Sequence, residues 1–83
     1  MYEIILSDKA KQQLKKLDYS TKHRIGVVID RLKINPFSHD IKRLVGSSYY
    51  RARAGEYRII LNIIQNKLVI YVIKIGPRHK VYK

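Results

Sequence analysis

The sequence predicts an α+β fold in the order β-α-α-β-β-β, with a helix hairpin packed on one face of a twisted, mainly antiparallel sheet. Three observations carry this reading. A short run of strand formers opens the chain, two segments with apolar residues at helical spacing follow, and from Tyr49 onward the pattern is strand throughout. At 83 residues with 46% apolar side chains there is material for one modest core, so residues 1–83 read as a single domain.

Tyr2–Leu6 is the first predicted strand. Ser7 offers a helix N-cap, and Asp8 suits the positive end of a helix. Ala10, Leu14 and Leu17 recur at helical spacing among lysines and glutamines, giving an amphipathic helix of roughly three turns. Ser20 and Thr21 are candidate caps for a second helix, whose apolar stripe is Ile25, Val28, Ile29 and Leu32. Pro36 ends it. The short connection predicts an antiparallel helix hairpin. Residues 35–48 carry turn formers and read as a loop, with a brief extended piece at Lys42–Val45.

Tyr49–Ala54, Tyr57–Ile64 and Leu68–Ile75 are three further strands, separated by Gly55-Glu56 and by a turn near Gln65-Asn66-Lys67. Glycine at the first turn position suits a two-residue type II′ hairpin, and asparagine suits the second turn. Gly76-Pro77 breaks the last strand, and a basic tail follows.

The charge balance bounds the function. Lysine and arginine total 18 against 6 acids, a formal net charge of +12. Such an excess repels itself in the folded chain and attracts polyanions, nucleic acid foremost. An acidic protein is a second partner class, compatible with the first. A membrane surface is not expected, because it calls for a basic amphipathic helix with an exposed apolar face. The absence of cysteine removes disulfides and thiolate metal sites and fits a reducing cytoplasm, and no apolar run suggests a signal peptide or a membrane span. The acids are scattered, and His23, His39 and His79 lack ligand spacing, so neither a metal nor another cofactor is expected.

The Gly55-Glu56 turn sets the hairpin register. Ala54 pairs with Tyr57, Arg53 with Arg58, Ala52 with Ile59, Arg51 with Ile60 and Tyr50 with Leu61. One face then holds Tyr50, Ala52, Ala54, Tyr57, Ile59, Leu61 and Ile63 and turns toward the helices. The other holds Arg51, Arg53 and Arg58, with Asn62 further along. Like charges directly opposite repel, and the nearest acid is Glu56 in the turn, so this face looks built for an anion from outside. A solvated strand face with chance charges is the plainer alternative. In the tail, Arg78, Lys80 and Lys83 are further candidate RNA contacts. Tyr82 either stacks on a base or anchors the tail to the surface.

Two stretches, Tyr50-Arg-Ala-Arg-Ala-Gly-Glu-Tyr-Arg-Ile-Ile60 and Ile75-Gly-Pro-Arg-His-Lys-Val-Tyr-Lys83, together with the element order, resemble the RelE/ParE toxin superfamily, and within it the RelE-type toxins, archaeal ones included. The resemblance spans the chain. It is specific in the last strands and tail and weak in the helices. It implies a cytoplasmic toxin of a type II toxin–antitoxin pair that enters the ribosomal A site, cuts mRNA there and is silenced by a cognate antitoxin. The charge of the chain calls for an antitoxin segment that is acidic, amphipathic or both, and the scattered acids and histidines for cleavage without a metal. Position by position, it implies that Arg51 and Arg53 contact the mRNA, that Arg58 stabilises the transition state, that Arg78 serves the leaving group, and that Tyr82 stacks near the cut. The sequence departs from the best-known bacterial members at Arg51 and Arg53, where they carry lysines, one a candidate general base. Arginine does not readily take up a proton at neutral pH. The chain also ends soon after Tyr82, without the extra terminal helix of some members. His79 is the histidine nearest the arginines in sequence and becomes the candidate general base or acid, against the plainer reading of a solvated tail side chain. A ParE-type gyrase inhibitor, a non-catalytic RNA- or ribosome-binding module, and a degenerate toxin retained as an antitoxin ligand remain as alternatives.

Overall fold

The computed structural model describes residues 1–38 and 41–77. The elements are β1 (Glu3–Leu6), α1 (Asp8–Lys15), α2 (Tyr19–Ile34), β2 (Ile41–Arg43), β3 (Tyr50–Ala54), β4 (Tyr57–Ile64) and β5 (Val69–Pro77). The five strands form one sheet in the order β1-β5-β4-β3-β2. β1 runs parallel to β5, and the other pairs are antiparallel. The extended piece expected at Lys42–Val45 is a three-residue edge strand that starts one residue and ends two residues earlier.

Both helices cover the same face of the sheet. Ala10 of α1 and Ile25, Val28 and Leu32 of α2 are buried in one cluster with Ala52, Ala54, Ile59, Leu61, Ile70, Val72 and Ile75. These strand residues include the inward set that alternation predicts, while Tyr50, Tyr57 and Ile63 pack at its margin. No helix among the described residues is long and apolar enough to cross a membrane.

The helix starts differ in how they are made. Ser7 caps α1 as expected: its hydroxyl accepts the Ala10 amide at 3.0 Å. Asp18, not Ser20 or Thr21, takes the N-cap position of α2. The Thr21 hydroxyl holds the Asp18 carboxyl below the usual carboxylate range. Ser20 and Thr21 therefore lie within the first turn, two and three residues after the cap. Asn35 ends α2 ahead of Pro36, and its Oδ1 accepts the Phe37 amide at 3.1 Å.

Two departures reshape β5. Gly76 and Pro77 do not break the strand; they pair with Arg58 and Tyr57. Proline is tolerated there because β1 reaches only to Val72, so among the described residues no strand pairs with that part of β5 on its other side. The turn before β5 places the left-handed conformation at Leu68 (φ +54), not at Asn66.

β1 reaches only as far as Val72 on β5, so the ladder would stop with open backbone groups beyond it. α1 continues it with side chains. The Ser7 hydroxyl donates to the Ile73 carbonyl at 2.6 Å, and Gln13 Oε1 accepts the Ile75 amide at 2.7 Å. Ile75 is buried, so its amide has little access to water. Gln13→Ala is expected to cost about 1–2 kcal/mol in urea denaturation, the range for stranding a buried donor. Gln13→Glu, which keeps the acceptor, should lose much less. Equal losses in the two variants would show that the bond does not anchor α1.

Candidate nucleic-acid interface

The face of the sheet away from the helices carries the charge. In the β3–β4 hairpin Arg53 stands opposite Arg58 and Arg51 opposite Ile60, the register expected from the turn. Gly55 holds φ +62, and Glu56 has no positive φ, as a type II′ turn requires. A Cβ at Gly55 would run into the Arg24 side chain of α2, whose Cδ would lie 2.9 Å away. Glycine is thus needed there for its backbone, which fixes the turn that aligns the arginines, while the exposed Arg24 side chain can swing aside.

Neighbouring strands extend the hairpin's charge. β2 places Lys42 opposite Arg51, and β5 places Lys74 opposite Ile60 and Gly76 opposite Arg58. Two rows cross the sheet: Lys42, Arg51, Ile60, Lys74 in one, and Arg53, Arg58, Gly76 in the next. Adjacent rows lie about 7 Å apart, two residues of strand rise. Lys74 reaches this face because the β4–β5 register shifts between Ile60 and Leu61. A bulge at Ile73 changes the parity, so that Val72 and Ile75 both face the core while Lys74 does not.

Arg58 departs from the solvated arginine that the strand pattern suggests. It is 2% exposed. Its Nη1 makes a long bond of 3.4 Å to the Tyr57 carbonyl, and among the described residues its Nε has no hydrogen-bond partner. Arg58 lies on a central strand, with Gly76 opposite it on β5. Arg53 is exposed and Arg51 half-buried, and both have interaction partners within the chain. The expectation that nothing in the chain answers these two side chains is therefore corrected. What stands is the convergence of five cations on two adjoining rows. Like charges at that spacing raise the local potential and favour a polyanion over a neutral ligand.

Arg78, His79, Lys80, Tyr82 and Lys83 lie outside the described residues. β5 delivers the chain to them from beside Arg58, since Gly76 pairs with Arg58 and Pro77 with Tyr57. Among the described residues no three of His, Cys, Asp or Glu gather where they could hold a metal ion. Sequence reasoning missed Lys42 and Lys74. Lys42 sat in the suspected extended piece. Lys74 was signalled by a cation falling on the core parity of a strand.

Comparison with known proteins places this geometry among toxins. The family model for the ParE toxin of type II toxin–antitoxin systems, parDE, matches residues 4–82. A curated relative from Methanocaldococcus jannaschii, named "Putative toxin RelE1", is 31% identical over 86 residues, covering 99% of this chain and 96% of that protein. The archaeal RelE–RelB complex from Pyrococcus horikoshii contains a chain that superposes with a TM-score of 0.82 at 27% identity, over 96% of this chain and 98% of that one. The isolated E. coli RelE toxin gives a TM-score of 0.81 at 21% identity, over 99% and 92%, a likeness that bears on the fold.

Proposed function

Because the chain belongs to the ParE toxin family of type II toxin–antitoxin systems, within the RelE/ParE superfamily and of RelE type, we propose that it is a metal-independent endoribonuclease that cuts mRNA in the ribosomal A site. The observation that carries this reading is the double row of cations with Arg58 buried at its centre.

RNA brings its own nucleophile. The ribose 2′-oxygen attacks the adjacent phosphorus and the bond to the 5′-oxygen breaks, leaving a 2′,3′-cyclic phosphate and a 5′-hydroxyl. Holding the 2′-oxygen in line supplies much of the rate, and the ribosome can share that work. The chain's part is charge. Arg51 and Arg53 hold the backbone, and Arg58 meets the negative charge that grows on the phosphorane oxygens. Arg58 is buried, and among the described residues its Nε–H has no partner, which leaves a donor for the phosphoryl oxygens. We assign Arg78 to the leaving 5′-oxygen, Tyr82 to base stacking, and Lys80 and Lys83 to the RNA backbone. His79 receives or returns the proton. The partner is a cognate antitoxin, since RelE of Pyrococcus horikoshii was solved with RelB and a chain of net charge +12 favours an acidic segment.

The test is cleavage of mRNA on programmed ribosomes, with the ends mapped chemically. Wild-type protein should leave cyclic phosphate and 5′-hydroxyl ends. His79→Ala should lose the rise in rate through the neutral range that a histidine base confers; an unchanged pH profile would remove His79 from the mechanism. The family match also favours a second reading, a gyrase inhibitor. Inhibition of DNA supercoiling without RNA cleavage would replace the nuclease with it.

A further inference from the structure

Beside the cation rows lies a groove of about 720 Å³, within the range of roughly 300–1,000 Å³ of sites that bury small organic ligands. Its walls differ in chemistry. Leu44, Tyr49, Ile60 and Ile73 supply apolar surface, and Tyr49 is 37% exposed. Lys9, Lys42, Arg43, Arg51 and Lys74 also line it, and no carboxylate does among the described residues.

The wall that carries Tyr49 is held in shape. The Leu44 amide donates to the Tyr49 carbonyl at 2.9 Å, and the Ser47 amide to the Leu44 carbonyl at 3.2 Å. The Tyr49 amide donates to the Ser47 hydroxyl at 2.8 Å, and Arg43 Nε to the Ser47 carbonyl at 3.2 Å. Gly46 makes the bend at φ +75. A loop closed by four bonds presents its aromatic ring at little further entropic cost on binding.

We infer that this groove is a nucleotide site, which takes the base of single-stranded RNA next to the bond that is cut. The assignment rests on the nuclease reading and deepens it. An aromatic ring set among apolar side chains stacks a base, and surrounding cations take the phosphates; acidic peptide would use the cations and leave the ring idle. The groove shares the row of Lys42, Arg51, Ile60 and Lys74, one row from Arg53 and Arg58. An extended RNA strand covers that step of about 7 Å in a single nucleotide. Base preference near the cut is thereby set at Tyr49.

The test uses fluorescent 2′-O-methyl RNA hexamers of differing sequence, which bind but cannot be cut, with affinity read by anisotropy at several salt concentrations. Tyr49→Ala should weaken binding about tenfold and flatten differences between sequences, in line with the loss of one stacked base. Tyr49→Phe should bind as the wild type does, which separates stacking from any loss of folding. Tyr19→Ala, which removes an exposed ring on α2, should change nothing. Lys42→Ala and Lys74→Ala should weaken all hexamers alike and each lower the salt slope by about 0.7. Tyr49→Ala binding no worse than Tyr19→Ala would overturn the site. So would poly-L-glutamate of matched charge losing as much affinity as RNA in Tyr49→Ala, since the surface would then be a protein dock. The same variants on programmed ribosomes separate the two proposals. A wild type that does not cleave but shows the Tyr49 effect removes the nuclease and keeps the nucleotide site. A wild type that cleaves, with Tyr49→Ala unaltered in binding and cut position, does the reverse.

Discussion

Replacing Arg58 with alanine is expected to lower the single-turnover rate of mRNA cleavage by about a hundredfold or more, the size of effect seen when one charge-stabilising donor is removed from a dry site. The affinity of the complex should fall far less, because the other cations of the two rows, Lys42, Arg51, Arg53 and Lys74, remain to hold the backbone. Arg58→Lys should recover only part of the rate. An ammonium restores the charge but not the planar fork that meets two phosphoryl oxygens at once. The pattern to look for is a loss in rate with little loss in binding, the signature of an interaction made in the transition state. Full activity in folded Arg58→Ala would detach the buried guanidinium from the chemistry.

The positions of Arg51, Arg53 and Arg58 were legible because one short turn dictates them. Gly55-Glu56 admits a two-residue hairpin, and once its length is known every pair along β3 and β4 follows, core face and charged face alike. The helices were legible from their stripes, but the start of α2 was not, since Asp18, Ser20 and Thr21 fall within four residues and each suits an N-cap, which Asp18 takes. Long-range features left weaker marks. A three-residue edge strand such as β2 shows in the sequence as a brief extended piece, but its pairing with β3, which brings Lys42 to the site, does not. The bulge in β5 could have been inferred from Lys74: strict alternation from Ile70 and Val72 would send an unpaired cation into the core. The burial of Arg58 had no local signal. Arg58 sits on a central strand whose neighbours are in place only once the sheet has assembled.

That burial leads to a second expected result: Arg58→Met should make the protein more stable as it makes it inactive. The guanidinium is 2% exposed, faces Arg53 directly across the hairpin, and leaves its Nε unmet among the described residues. Each of these opposes folding. Desolvating a charge is costly, an unmet buried donor adds to the cost, and the cross-strand pair repels. Methionine is unbranched and of similar length, and it can lie against Ile60 and Gly76 without a charge to desolvate. The expected gain is about 2 kcal/mol, the middle of the range for apolar replacement of buried ionic groups. For a chain of this length that moves the melting temperature by roughly 10 °C. Arg53→Met should gain much less, because Arg53 is exposed and has an interaction partner within the chain. Thermal unfolding followed by circular dichroism measures both variants. A fall in melting temperature for Arg58→Met would mean that the guanidinium helps to hold the sheet together. A rise, joined to the loss of cleavage, would mean that the fold carries an unfavourable charge at its centre because the site needs it there.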